Sequence, residues 1–159
     1  MPFIRSKIFQ KIIRANIIYA MSNKFIENKN KIIAYFAGSL SKEDKYQKII
    51  ALGKDTKPLA DFQKTDANLV TGCQSTTHLI SYQKNGQIFF EADSDALISR
   101  GLAALITRVY SGLASETILK TPPDYLKELD IPASLTPSRA NGLYNIHLKM
   151  KQEALKYLL

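Results

Sequence analysis

Cys73 is the only cysteine of the chain, and it stands in the stretch TGCQSTTHLI with Gly72 before it and Gln74 and Ser75 after it. A lone thiol can serve as a nucleophile, as a metal ligand, or as a small apolar packing residue. Gly72 tolerates backbone torsions that other residues avoid and leaves clearance for an approaching partner. His78 and His147 are the two histidines, the available bases for a cysteine-dependent hydrolase. No asparagine or acid is spaced to orient either one, so structural positions are the simpler reading of both. One cysteine and two histidines lack a fourth ligand and any recognised zinc spacing, and no metal site is expected. Asp93 and Asp95 form a carboxylate pair just before an apolar-periodic segment, where helix capping explains them better than acid–base chemistry. Arg139 falls in the first turn of a helix, where the dipole disfavours a cation. A cation there is expected to make a specific ion pair or hydrogen bond, to a carboxylate or a backbone carbonyl, with a solvated surface position as the alternative. The sequence holds no P-loop and no dinucleotide-binding glycine pattern.

The elements that must position these groups follow from periodicity. NKNKIIAYFAGS reads as a short helix closed near Gly38. SKEDKYQKIIALGK reads as a helix capped by Ser41, with Tyr46, Ile49 and Ile50 as its apolar stripe and Gly53 as its end. Residues 54–69 show no clear period and read as a long loop. THLISYQ alternates, Asn85-Gly86 is a hairpin turn, and QIFFEA is the return strand. A short strand is also expected near Leu69-Val70. ALISRGLAALITRVYSG is the central core helix. Gly101 costs helix propensity there, which points to close approach of another element, and Gly112 ends it. Short helical turns flank Pro122-Pro123. The last helix begins with Thr136 as cap and Pro137 in its first turn, and repeats Leu143, Ile146, Met150 and Ala154. Helices, a small antiparallel sheet, then helices make an α+β fold.

Length and charge bound the rest. A chain of 159 residues with 45% hydrophobic and 23% charged residues suits one globular domain. A single cysteine makes no internal disulfide, and a reducing compartment such as the cytoplasm is its natural setting. The net charge of +8 is localised. Residues 1–31 hold seven basic groups against Glu27 alone, so the remaining body carries only +2. That distribution gives weak support to a nucleic-acid partner, and none is expected. No run of about 18 apolar residues predicts a membrane span, so no stable membrane insertion is expected. MPFIRSKIFQKIIRANIIYAMSNKF has no acidic residue. Residues 1–25 are read as a basic extension, poorly ordered or packed, ahead of a domain over 30–159. The other readings are an amphipathic targeting or membrane-surface helix, with an organelle as the destination if residues 1–20 act as a targeting segment, or a start at Met21.

Four segments in order carry a family resemblance: GCQS at 72–75, DSDA at 93–96, RGL at 100–102 and LTPSRANGL at 135–143. Together with EDKYQKIIALGK, they resemble the SufE family of sulfur acceptor proteins from about Ile32 to the C-terminus. The resemblance implies an α+β fold of the SufE/NifU type, a small antiparallel sheet packed against helices. It implies that Cys73 accepts a persulfide sulfur from a SufS-type cysteine desulfurase, stimulates that enzyme, and relays the sulfur to a SufBCD-type scaffold for iron–sulfur cluster assembly. Gly72, Gln74, Ser75, Asp93, Asp95 and Arg139 are the expected supporting or partner-binding residues. The chain itself is then a carrier without a cofactor, and the pyridoxal phosphate belongs to the partner. His78 departs from the tryptophan common in the family, which bears on packing behind the first hairpin strand. Sulfur relay needs one thiolate and no resolving cysteine beside it. It also needs a thiol that is shielded when free and exposed when docked. A hydrolase using Cys73 with His78 or His147 is the alternative function.

Overall fold

A computed structural model describes residues 2–159. The chain begins with α1, Pro2–Phe36, and Gly38 follows at a φ of +80°, a left-handed turn that suits glycine. The short helix expected near residue 30 is therefore the end of a helix of 35 residues. α2 spans Lys42–Asp55, and its Ser41 hydroxyl accepts from the Asp44 amide at 3.0 Å. Gly53 does not end α2, because the helix continues to Asp55. Residues 56–76 form a connecting segment with short 3-10 turns at Asp61–Gln63 and Asp66–Asn68.

β1, Thr77–Lys84, and β2, Gln87–Ser94, form an antiparallel hairpin in the register Thr77↔Ser94 to Lys84↔Gln87. Asn85 and Gly86 turn it with φ of 53° and 74°, as a two-residue mirror-type turn requires. Leu79, Ile88, Phe90 and Ala92 face the core, while Tyr82 stacks on Phe89 on the other face. The strand expected near Leu69-Val70 is reduced to a bridge, with the Val70 amide donating to the Thr77 carbonyl at 2.8 Å.

α3, Leu97–Tyr110, is the central helix, and Leu102, Ala103, Leu105, Ile106 and Val109 are all buried. The sheet covers one side of it, α2 another, and α6 packs on both α3 and β1. A two-stranded sheet is marginal alone, so its stability depends on this helical layer. α2 and α3 touch backbone to backbone. A Cβ on Gly101 would lie 1.9 Å from the Ile49 carbonyl oxygen, and one on Gly53 would lie 2.2 Å from that of Leu97. Gly112, at φ +82°, closes the turn after α3 and donates back to the Ile88 carbonyl at 2.8 Å. α4, Ser115–Lys120, and α5, Tyr125–Glu128, are short. α6 spans Pro137–Lys156, with the Thr136 hydroxyl accepting from the Arg139 amide and Leu143, Ile146, Met150 and Ala154 buried. The architecture is α+β.

Candidate functional site

Cys73 lies at the bend between the connecting segment and β1, and its side chain is half-buried. The bend is possible because Gly72 adopts a φ of +77°. Its thiol donates to the Gly142 carbonyl in α6 at 3.6 Å. Gly142 has no side chain to hold the sulfur away: a Cβ there would sit 3.4 Å from Cys73 Sγ. A glycine within a helical period is the sequence signal that could have revealed this close approach. The clearance at Gly72 is filled by the protein itself rather than left open for a partner. The Asn145 amide donates to the Gly72 carbonyl at 3.1 Å, and a Cβ on Gly72 would meet that same nitrogen at 2.4 Å.

Behind the thiol lies a cavity of about 10 Å³, lined by Gln74, Thr77, Ser99, Leu102, Arg139 and Ile146 besides Cys73 and Gly142. Space of this size holds about one water-sized atom. Burial pushes the thiol pKa up, and the neighbouring Thr77 hydroxyl pulls it part of the way back. The free protein therefore holds Cys73 as a protonated thiol at neutral pH.

Arg139 makes specific bonds, but to serine hydroxyls rather than to a carboxylate or backbone carbonyl. Its Nη1 donates to Ser99 Oγ at 2.9 Å and to Ser75 Oγ at 3.5 Å, and the Ser99 hydroxyl donates to Ser75 Oγ at 3.0 Å. This triangle ties the residues after Cys73 to both α3 and α6. Cys73, Gln74, Ser75 and Arg139 thus come together, with Ser99, Thr77, Gly142 and Asn145 as partners that sequence reading missed. Hydroxyls and an amide within amphipathic helices carry no local signal of what they face.

Asp93 and Asp95 do not cap α3. The cap position is Ala96, which has no side chain to serve. Asp93 is instead at the end of β2, buried, with Arg100 Nε 2.8 Å and Lys64 Nζ 3.3 Å from its carboxylate. The Arg100 N–H is poorly aligned on that oxygen, so the pair is mainly coulombic. The Leu59 and Ser94 amides complete the carboxylate's bonding at 3.0 and 2.8 Å. Interior charge is tolerated when neutralised and bonded in this way, which is why a carboxylate stays at this strand end. Asp95 is exposed. With His78, Lys64, Thr76 and Arg100 it lines a separate cavity of about 170 Å³. His78 pairs across the hairpin with Asp93 and bridges Leu69. His147 packs its ring on Tyr110 at 5.0 Å, and burial pulls its pKa down to about 4, helped by Lys151. Neither histidine lines the Cys73 cavity.

Residues 30–154 match the model of the SufE Fe-S metabolism associated domain. A SufE-like protein of Synechocystis sp., itself uncharacterised, is 33% identical over 132 residues, 83% of this chain and 83% of that protein. The SufE-like protein 1 of Arabidopsis thaliana, described as chloroplastic/mitochondrial, is 35% identical over 126 residues, 79% of this chain. The match spans only 34% of that longer plant protein. In three dimensions the chain is similar to the solution structure of a hypothetical protein from Thermus thermophilus, with a TM-score of 0.66 at 20% identity, covering 82% of this chain and 95% of the other. A shared α+β fold, and a family match over most of the chain that takes in the Cys73 bend and the start of α6, mean that this chain belongs to the SufE family of Fe–S metabolism associated proteins.

Proposed function

We propose that this protein is a sulfur acceptor and carrier in iron–sulfur cluster assembly, acting through Cys73. The observation that carries the reading is the seat of that thiol: half-buried, bonded to the Gly142 carbonyl, and backed by a cavity with room for about one more atom. A carrier has two requirements that oppose each other. Its sulfur must be kept from oxidants in transit, and it must reach another protein's active site. A thiol on a bend, held by the Gly142 carbonyl and by Asn145 one residue earlier, can meet both by leaving its seat on docking.

The chemistry balances without an added oxidant. Outside its seat Cys73 loses its proton, and the thiolate attacks the outer sulfur of a persulfide on the donor. The donor's S–S bond breaks, the donor cysteine departs as thiolate, and Cys73 becomes the persulfide. On return, the outer sulfur of Cys73 takes the cavity beside Arg139, whose cationic head suits a persulfide anion. The donor is a SufS-type cysteine desulfurase, which holds the pyridoxal phosphate and is stimulated because its own persulfide is cleared. The recipient is a SufBCD-type scaffold. A reducing interior, cytoplasmic or organellar, suits a lone working thiol.

Hydrolase chemistry at Cys73 needs a histidine on the thiol. The thiol's hydrogen is instead given to the Gly142 carbonyl, and His147 is turned to Tyr110. The test is direct. After incubation with a SufS-type desulfurase and cysteine, the intact mass gains one sulfur atom that reductant removes, and Cys73→Ser gains none. An unchanged wild-type mass overturns the proposal.

A further inference from the structure

Residues 6–20 of α1 leave a run of large apolar side chains in contact with solvent. Every residue from 6 to 20 is exposed, although Ile8, Phe9, Ile12, Ile13 and Ile17 are among them, and Phe9 and Tyr19 are 65% and 71% accessible. From residue 6 onward, the first partly buried side chain is Met21, and Asn28, Ile32 and Phe36 then anchor the helix in the body. At about 1.5 Å per residue, residues 6–20 form an arm of roughly 22 Å. Along this arm the one ion pair to the domain among the described residues is that of Arg14 with Glu116 in α4.

Helical spacing sorts the arm into two faces. Lys7, Lys11 and Arg14 follow at i, i+4 and i+7 on one side, Phe9, Ile12 and Ile13 fall on the opposite side, and Ile8 and Ile17 lie at the borders beside Lys11 and Arg14. Ile18 alone intrudes on the basic stripe. No acidic residue occurs before Glu27, which Lys24 and Lys31 already pair. Among the described residues no helix is long and apolar enough to cross a membrane. A helix with an apolar face, a basic face and no acid has the character of one lying in the plane of a lipid surface.

We propose that this arm docks on an anionic lipid surface, with Phe9, Ile8, Ile12 and Ile13 immersed at the headgroup boundary and Lys7 and Lys11 against lipid phosphates. Charge complementarity decides for lipid over a second copy of the chain: a lipid surface offers phosphates to Lys7 and Lys11, whereas a second arm offers them no acid before Glu27. A polyanion without an apolar phase, such as nucleic acid, would leave the isoleucine face unused.

The test is co-sedimentation of the full-length protein with vesicles of phosphatidylglycerol and phosphatidylcholine, against phosphatidylcholine alone. Binding to the anionic vesicles is expected to exceed binding to the neutral ones at least tenfold and to fall sharply in about 0.5 M salt. Each basic residue near such a surface multiplies partitioning by about fivefold, so Lys7→Gln with Lys11→Gln lowers it roughly 30-fold. Phe9→Ser with Ile12→Ser lowers it at least tenfold by removing apolar contact. Circular dichroism checks that both double variants keep the wild-type fold. No binding to the anionic vesicles overturns the proposal, as does binding indifferent to Phe9→Ser with Ile12→Ser. A dimer in sedimentation velocity that this apolar pair dissolves overturns it in favour of a second copy.

Discussion

Asn145→Ala removes the side-chain hydrogen bond that ties the backbone just before Cys73 to α6, and with it part of what keeps the thiol in its seat. The bond is 3.1 Å long and lies near the surface, so its net worth is about 1 kcal/mol. Losing it raises the population of the open bend roughly fivefold. Closing is expected to be fast relative to alkylation, so the rate at which iodoacetamide modifies Cys73 follows that population and rises by the same factor. The pH profile provides a second reading. Burial raises the thiol pKa in the seated state. The stabilisation of the seat is therefore complete below the ordinary thiol pKa and is lost as pH rises through the raised one. Wild-type alkylation should keep accelerating beyond the pH at which an unburied cysteine levels off, and Asn145→Ala should level off closer to it. The assay is quenched alkylation read by intact mass, with urea unfolding to show that global stability falls by no more than the same ~1 kcal/mol. The reasoning is refuted if Asn145→Ala reacts no faster than wild type with the same profile, or if wild-type Cys73 already reacts as fast as a free cysteine in a short peptide.

Other consequences follow from the same geometry. Gly101→Ala forces a methyl against the Ile49 carbonyl at a nominal 1.9 Å, and the overpacking exceeds the gain in helix propensity. A loss of about 3 kcal/mol in urea denaturation is expected, and a stabilised variant would mean that α2 and α3 are not in backbone contact. Asp93→Ala leaves Arg100 and Lys64 without their carboxylate. Because both cations retain access to water, the cost is discounted to about 2–3 kcal/mol, a fall in Tm of roughly 4–12 °C by calorimetry. His147 has a native pKa of about 4, below its unfolded value. Its neutral form therefore stabilises the fold above about pH 6.5, and this contribution is lost as pH falls toward 4. His147→Phe should flatten that part of the Tm profile, and an unchanged slope would place the acid sensitivity elsewhere.

Much of the fold was legible because local physics sets it. Asn85-Gly86 needs no tertiary help to turn a chain, since both residues accept positive φ. Ser41 and Thr136 start helices by bonding amides three residues on. The buried stripe of α6 keeps the period that its apolar residues show in one dimension. Where a reading failed, a distant partner had outweighed the local preference. Gly53 looked like a helix stop, but its missing side chain admits the Leu97 carbonyl of α3. Asp93 looked like a cap, but Arg100, Lys64 and two backbone amides draw it into the interior at a strand end.

The sequence by itself determined that one thiol exists, that a glycine precedes it, that it sits where a loop becomes a hairpin, and which family it resembles. These are matters of composition, turn chemistry and motif order, and they need no knowledge of what lies across the fold. Only the tertiary structure decided how that thiol is kept. The Gly142 carbonyl lies 69 positions away in sequence, and the Asn145 amide and the Ser75–Ser99–Arg139 triangle are similarly remote. Seat, cavity and raised pKa arise from packing α6 and α3 against the bend. Burial and hydrogen bonding between segments far apart in the chain leave no local pattern in the residues that make them.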